Sequence, residues 1–126
     1  MRIDHIAIWV KDLERTKDFY CSYFHAKASE KYHNPIKQFT SYFLSFESGG
    51  RIEIMHKPGI ESAYPSISLG WVHIAISVGS REQVDILTNQ FRKDGFTIAG
   101  NPRVTGDGFY ESVILDPEGN QLEITE

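Results

Sequence analysis

Two histidines and two glutamates recur at matching places in the two halves of this chain. His5 begins the run His-Ile-Ala-Ile, and the same four residues return 68 positions later, beginning at His73. Glu53 lies in Ile-Glu-Ile, and Glu123 lies in Leu-Glu-Ile 70 positions further on. Imidazole and carboxylate groups are common ligands of divalent transition metals. The repetition therefore indicates a metal-ligand set that a duplicated unit contributes.

All four residues lie in segments where aliphatic residues occupy every second position. This alternation predicts a strand with one buried face. Ile6 and Ile8 point one way, so His5 leaves on the opposite face, and Glu53 is placed in the same manner between two isoleucines. A buried carboxylate without a partner is costly. We therefore expect the four side chains on the non-aliphatic faces of equivalent strands.

The donor types narrow the choice of ion. Two imidazoles and two carboxylates without a thiolate suit Ni²⁺, Zn²⁺, Co²⁺ or Mn²⁺ better than Cu(I) or an iron–sulfur cluster. In an octahedral shell four protein ligands leave two positions for water or a bidentate substrate, whereas a closed tetrahedral shell would be structural. His56 shares the parity of the isoleucines around Glu53, so strand geometry points it away from this set.

Composition excludes several classes of function. The chain has 126 residues, 40% of them hydrophobic and 24% charged, which is ordinary for one globular domain or two small packed units. The net charge is −4 and basic residues do not cluster, so we expect no nucleic-acid partner. No apolar run has membrane-spanning length, and because a first strand is predicted to begin at Ile3, we expect no signal peptide. With Cys21 alone, no intrachain disulfide can form, so we expect a cytoplasmic protein.

The residue pattern of the first half of the chain predicts the element order β-α-(β)-β-β. Asp12 caps a helix that runs to Cys21. Residues 26–38 are polar and irregular, with weak evidence for a strand near 27–32 and a turn at 33–35. A strand at 39–46 and a turn at 47–50 lead into the Glu53 strand. We expect the buried stripe of the helix to comprise Leu13, Thr16, Tyr20 and either Tyr23 or Phe24.

The second half predicts the same order again. Ser80 caps a helix, with Gln83 completing a capping box, and the helix ends at 94–95. Its stripe is predicted to comprise Val84, Leu87 and Phe91. A strand at 96–99, a turn at 100–102, a strand at 110–115 and a turn at 116–120 precede the Glu123 strand. Residues 58–70, rich in proline and glycine, are predicted to link modules at about 1–57 and 71–126.

Taken together, these segments resemble the vicinal oxygen chelate superfamily of glyoxalase I, bleomycin resistance proteins and dioxygenases. They are most similar to its glyoxalase I branch. The segments that carry the resemblance are 4–7, 19–20, 51–54, 72–75 and 115–123, the last containing Asp-Pro-Glu-Gly-Asn. The resemblance implies an α+β fold in which two paired βαβββ modules form a curved-sheet cup around one divalent metal per site. It also implies a homodimer, in which His5 and Glu53 of one chain would join His73 and Glu123 of the partner subunit.

The glyoxalase I resemblance further implies a reaction and its residues. The reaction is isomerisation of a small thiol–ketoaldehyde hemithioacetal to a thioester through an enediolate, with Glu123 as principal base and Glu53 as its catalytic partner. Relatives that use glutathione have an arginine where this chain has Trp9 and an asparagine where it has Lys57. Both normally hold the glutathione tail, so we expect another thiol. We expect Trp9, Met55 and Phe109 to line a more apolar substrate site.

Other members of the superfamily remain as alternatives. An acyl-CoA epimerase keeps four ligands. A fosfomycin-type thiol transferase uses two histidines and one glutamate, and an extradiol dioxygenase needs only one carboxylate. A non-catalytic bleomycin-type drug-binding protein needs no metal. Four intact ligand positions favour the glyoxalase-type lyase or isomerase, and metal content separates these classes best.

Overall fold

The chain forms an α+β structure in two compact units, Met1–Ala63 and Tyr64–Glu126. The computed structural model describes residues 4–60, 72–106 and 108–126, so most of the predicted linker at 58–70 lies outside the described residues. The elements of the first unit are β1 Ile6–Trp9, α1 Leu13–Phe24, β2 Lys27–Ala28, β3 Tyr32–Asn34, β4 Phe39–Ser45 and β5 Arg51–His56. Those of the second are β6 Ile74–Ser77, α2 Arg81–Lys93, β7 Ile98–Val104, β8 Tyr110–Leu115 and β9 Gln121–Thr125.

Each unit has the predicted βαβββ plan, with the second strand of the first unit split into β2 and β3. The first sheet has the strand order β1-β5-β4-β2, with β3 also paired to β4. The second has the order β6-β9-β8-β7. In both sheets the first strand of the unit lies parallel to the last, while the remaining pairs are antiparallel. The two sheets therefore repeat one topology, and their assembly into a single cup-shaped domain stays a prediction.

The aliphatic faces of both sheets form the cores. In the first unit Ile8 pairs with Ile54, and in the second Ile76 pairs with Ile124. Ile54 and Ile124 are fully buried. Full burial of such a side chain stabilises a fold by roughly 1.5–3 kcal/mol. Because neighbouring residues of a strand point to opposite sides, this burial fixes Glu53 and Glu123 on the other face of each sheet.

Side-chain caps start both helices as predicted. The Asp12 carboxylate accepts a hydrogen bond from the Arg15 amide, and the Ser80 hydroxyl accepts one from the Gln83 amide. Such caps contribute about 1 kcal/mol each. The buried stripes differ from the prediction in three places. On α1 Phe19 is buried, while Tyr23 and Phe24 are only half-buried, and on α2 Thr88 takes the place expected for Leu87.

Burial of Thr88 is tolerated because its hydroxyl is satisfied. Its Oγ1 lies 2.6 Å from the carbonyl oxygen of Val84 and 2.6 Å from the hydroxyl of Ser112 on β8. A buried polar group that keeps its hydrogen bonds loses little on leaving water. Hydrophobicity alone therefore could not predict that Thr88 is more buried than Leu87.

Two predicted turns are in fact strand. Residues 32–34 form β3, whose pairing partner is β4, and the turn begins after Asn34, whose side chain accepts from the amides of Ile36 and Lys37. The predicted turn at 100–102 lies inside β7, which runs on to Val104 with two register shifts against β8. Register shifts let a strand accommodate Pro102, which has no amide hydrogen to donate.

Neither α1 nor α2 is long and apolar enough to cross a membrane, and these are the helices of the part of the chain that the structure describes.

A cluster of polar side chains around Glu14 connects α1 to the first sheet. The Glu14 carboxylate accepts hydrogen bonds from Lys17 on the same helix, from Lys31 between β2 and β3, and from Tyr42 on β4. These hydrogen bonds lower the pKa of Glu14 to about 2, and the bond from Lys17 has the largest effect. A carboxyl with a depressed pKa stabilises the fold above its unfolded pKa and loses that contribution as the pH falls through the folded value.

We therefore predict that Glu14→Gln lowers the Tm at pH 7 by about 2–4 °C, and that the difference from the unsubstituted protein vanishes towards pH 2. Glu82→Gln is the matched control, because Glu82 occupies the same first-turn position on α2. Thermal unfolding followed by circular dichroism between pH 2 and pH 7 measures both variants. An equal loss in both variants would assign the effect to the helix dipole and contradict the cluster.

Candidate metal centre

The first unit brings His5 and Glu53 together. The Nε2 atom of His5 lies 4.0 Å from an Oε of Glu53. This proximity follows from the parallel pairing of β1 with β5, which sets Ala7 beside Glu53. His5 lies one residue before β1 begins, and its side chain nevertheless reaches the face that Glu53 occupies. The structure thus brings these two sequence-predicted residues together, and their role as metal ligands stays a prediction.

Asp4 orients the imidazole of His5. One carboxylate oxygen of Asp4 lies 3.0 Å from His5 Nδ1, and the same oxygen accepts a hydrogen bond from the Arg51 guanidinium. The hydrogen bond with His5, and then that with Arg51, hold the pKa of Asp4 below its ordinary value. An ionised carboxylate can only accept, so Nδ1 must carry the proton. The lone pair of the neutral ring is then on Nε2, the atom that faces Glu53.

The ring of Phe43 also restricts the orientation of His5. The ring of Phe43 meets the ring of His5 edge-on, with centroids 5.0 Å apart. The Arg51 guanidinium lies over the Phe43 ring at 4.7 Å, a favourable cation–π geometry. Phe43 is also the cross-strand neighbour of Glu53. The His5 ring therefore has one hydrogen bond and one ring contact that restrict its orientation.

The second unit repeats the pair without this support. His73 Nε2 lies 3.1 Å from an Oε of Glu123, and Ala75 pairs with Glu123 as Ala7 does with Glu53. The residue before His73 is Val72, which is exposed and cannot hold Nδ1. The glutamate side chains are alike in exposure, 15% for Glu53 and 20% for Glu123. We call each His–Glu pair a half-site. The orientation of His73 in the second half-site is therefore less restricted than that of His5 in the first.

The donor chemistry of these pairs fits a divalent ion, but each pair alone supplies only two donors. Protein metal sites usually supply three or four donors. Among residues 4–60, 72–106 and 108–126, no group of three or more His, Cys, Asp or Glu side chains suited to a metal is gathered. An imidazole with its second nitrogen fixed and a carboxylate beside it are the standard partners of such an ion. Each half-site therefore needs donors from elsewhere to hold one.

His56 takes no part in the first half-site. It shares the face of Ile52 and Ile54, and its Nδ1 lies 3.0 Å from the backbone oxygen of Val10. This hydrogen bond engages the ring on the side of the sheet away from Glu53. The structure agrees with the strand parity that separates His56 from the metal set.

The residues predicted to line the substrate site fall in both units. Trp9 and Met55 are cross-strand partners on the Glu53 face of the first sheet. The ammonium of Lys57 lies 5.0 Å from the Trp9 ring centroid, so the two positions that depart from glutathione-using relatives contact each other. Phe109 precedes β8 in the second unit and is 55% exposed. Their joint role in substrate binding stays a prediction.

Sequence reasoning missed four polar residues on these faces. They are Asp4 in the first unit and Arg103, Glu111 and Thr125 in the second. Glu111 offered a signal, since it is a carboxylate inside an otherwise apolar strand and must find a partner if buried. Arg103 offered none, because residues around it were interpreted as a turn and loop.

Known proteins share this fold over nearly the whole chain. The family model for the glyoxalase/bleomycin resistance protein/dioxygenase superfamily matches residues 2–124. A lactoylglutathione lyase of Arabidopsis thaliana, GLX1, is 30% identical over 98% of this chain and 43% of its own length. The chain thus spans less than half the length of this curated relative.

Solved structures are similar at comparable identity. A trypanothione-dependent glyoxalase I of Leishmania major has a TM-score of 0.81 and 27% identity, covering 100% of this chain and 86% of its own. A glyoxalase family protein of Enterococcus faecalis has a TM-score of 0.80 and 26% identity, covering 99% and 97%. A glyoxalase I variant of Zea mays has a TM-score of 0.81 and 26% identity, covering 98% and 44%. With the family model and the repeated βαβββ units in agreement, the chain belongs to the glyoxalase/bleomycin resistance protein/dioxygenase superfamily.

Proposed function

We propose that this chain is a glyoxalase I-like lyase or isomerase that depends on a divalent metal. The observation that carries the proposal is the matched pair of half-sites, His5 with Glu53 and His73 with Glu123, each built on the same parallel strand pair. A drug-binding member of the superfamily has no need to keep both pairs intact. The substrate is proposed to be a small thiol–ketoaldehyde hemithioacetal or a related compound.

The two half-sites together would hold one ion, of Ni²⁺, Zn²⁺, Co²⁺ or Mn²⁺. Nε2 of each histidine and one carboxylate oxygen of each glutamate are the donors, and no thiolate is among them. When bound, the ion would polarise the substrate oxygens and so lower the cost of removing the proton from carbon. Asp4 and Arg51 would keep His5 in the orientation that its Nε2 needs.

Glu123 is proposed as the general base and Glu53 as its catalytic partner. The base takes a proton from one carbon of the hemithioacetal and returns it to the adjacent carbon, so no atoms are gained or lost. Such a carboxylate must be free to move between a ligand position and the substrate. The support for Glu123 is that Val72 precedes His73 where Asp4 precedes His5, so no carboxylate at that position holds the second imidazole, whereas Glu53 lies beside the imidazole that Asp4 holds.

The thiol is proposed to differ from glutathione. The positions that resemble the glutathione-tail contacts hold Trp9 and Lys57, and the Lys57 ammonium lies over the Trp9 ring. A ring and an ammonium engaged in this way offer a different surface from an arginine and an asparagine. The relatives named for lactoylglutathione and trypanothione show that similar chains serve different thiols.

The test is turnover of methylglyoxal with a panel of low-molecular-weight thiols, followed by Glu123→Gln. We predict poor use of glutathione relative to another thiol of the panel. Glu123→Gln should lower kcat by about 10²–10⁴-fold, because it removes the base. It should lose less metal than His73→Ala, the matched control from the same half-site.

Three outcomes would count against this proposal. Full turnover by Glu123→Gln would contradict the base assignment, and efficient turnover with glutathione would contradict the thiol assignment. No turnover with any thiol, in protein that retains metal, would instead favour the acyl-CoA epimerase alternative.

We also propose a homodimer whose sites draw one half from each chain. The strands β1 and β6 are sheet edges, which soluble proteins usually pair or cover. Trp9 is 42% exposed and Phe109 is 55% exposed, and large apolar side chains of this kind are enriched in subunit interfaces. Two-fold assembly is the commonest way to cover such surfaces.

Complementation distinguishes shared from intrachain sites. One variant carries His5→Ala and Glu53→Ala, and the other carries His73→Ala and Glu123→Ala. We predict that each variant alone is metal-free and inactive, while their co-expressed mixture regains about one intact site per mixed dimer. Elemental analysis and turnover of the purified mixed dimer measure this. A mixture as metal-free as its parents, or a monomer mass by light scattering, would show that each chain builds its own site.

A further inference from the structure

Four polar residues form one cross-strand row on the second sheet, and we name this set the polar row. Ser77 on β6 pairs with Thr125 on β9, Thr125 pairs with Glu111 on β8, and Glu111 pairs with Arg103 on β7. Directly paired residues point to the same side of a sheet. Thr125 lies two positions after Glu123, so the polar row shares the face of the His73–Glu123 half-site.

The polar row lies next to the row that contains Glu123. That row runs from Ala75 through Glu123 and Val113 to Gly100. Adjacent rows on one face are separated by two residues along the strand, about 7 Å. A substituent that extends a few bonds from the half-site can therefore reach the polar row.

The first sheet carries different chemistry at the corresponding place. There the row consists of Trp9, Met55, Ser41 and Tyr32. Trp9, Met55 and Ser41 precede Ser77, Thr125 and Glu111 by the same 68 or 70 positions that relate the histidines and glutamates. The two copies thus keep the half-site and differ in the adjacent row. In the first sheet the row has two aromatic rings and a thioether beside the buried hydroxyl of Ser41, whereas in the second all four residues are polar.

Two groups of the polar row have capacity for a further hydrogen bond. Thr125 Oγ1 is buried and has no hydrogen-bond partner among the described residues. The Glu111 residue is only 8% exposed, and its Oε1 accepts from the Arg103 guanidinium at 3.3 Å. A buried hydroxyl without a partner is unfavourable, and a ligand that supplies one gains affinity.

Because Gly100 has no side chain, the Arg103 guanidinium can lie close to the row of residues that contains Glu123. A Cβ added to Gly100 would lie 2.9 Å from Arg103 Nη1 and 3.3 Å from Val113. The guanidinium therefore lies over the backbone of Gly100, in the Glu123 row. Because Arg103 is half exposed, its remaining N–H groups are available as donors.

We propose that the polar row is a specificity-determining subsite for an uncharged, hydrogen-bonding substituent of the substrate, a hydroxyl or an amide. The inference rests on the proposed metal centre and names the chemistry of the substrate group beside it. Arg103 and Glu111 neutralise each other, so the row offers donors and acceptors without a net charge. A carboxylate gains no net attraction from an ion pair whose charges cancel, and an alkyl group would leave Thr125 without a partner.

The test uses two hydroxamates that chelate a metal identically and differ in one group. In 3-hydroxypropanohydroxamate a hydroxyl replaces the terminal methyl of butanohydroxamate. Titration calorimetry on the metal-loaded protein should show about tenfold tighter binding of the hydroxylated ligand. Thr125→Val, which keeps the shape of the side chain, should abolish that preference. Thr40→Val is the matched control, because Thr40 lies on the opposite face of the first sheet, and it should leave the preference unchanged.

The outcomes separate this inference from the metal centre on which it rests. Equal binding of the two hydroxamates, or tighter binding of butanohydroxamate, would overturn the polar row as a subsite and leave the metal centre intact. Failure of both to bind to protein that holds the metal would show that the ion has no open position for a ligand, and would overturn the proposed catalytic centre and the subsite with it. If Thr125→Val does not fold, the comparison on the unsubstituted protein still decides, and Arg103→Gln at a half-exposed position should reduce the same preference.

Discussion

Parallel pairing of the first and last strands of each unit is the constraint on which the site depends. It aligns Ala7 with Glu53 and Ala75 with Glu123, and so sets each histidine, two residues earlier, beside its glutamate. The parallel arrangement requires a crossover connection, which α1 and α2 begin. The helices also cover the aliphatic faces, so the side chains on the opposite faces stay available. The core and the half-site are thus two consequences of one strand pairing.

Duplication explains both what the halves share and where they differ. The shared elements are the capped helix, the buried isoleucines and the His–Glu pair. In the first unit Asp4 also contacts both Arg51 and His5, and the Lys57 ammonium lies over the Trp9 ring. In the second unit Val72 stands in the place of Asp4, and the open face of the sheet carries Glu111 with Arg103. A more restricted His–Glu pair in one half and a freer pair in the other would suit the proposed site, in which one carboxylate also moves protons.

The sequence predicted the parts of this structure that depend on local alternation and on the repeat. The period-two pattern around Glu53 and Glu123 fixed their faces, and the Asp12 and Ser80 caps marked the helix starts. It could not show that β1 pairs with β5, because the partner of a strand depends on contacts distant in the chain. It also missed the continuation of β7 through 100–102, where register shifts accommodate a glycine and a proline that usually mark turns. The Arg103–Glu111 pair could not be found without that register.

Metal stoichiometry tests the central claim most directly, namely that two half-sites make one centre. Protein purified without chelator and reconstituted with nickel, zinc or cobalt should hold about one divalent ion per chain, measured by elemental analysis. Substitution of any one of the four ligands by alanine should weaken that binding, whichever unit it lies in. Two ions per chain, each lost independently with its own half-site, or no ion after reconstitution would contradict the account.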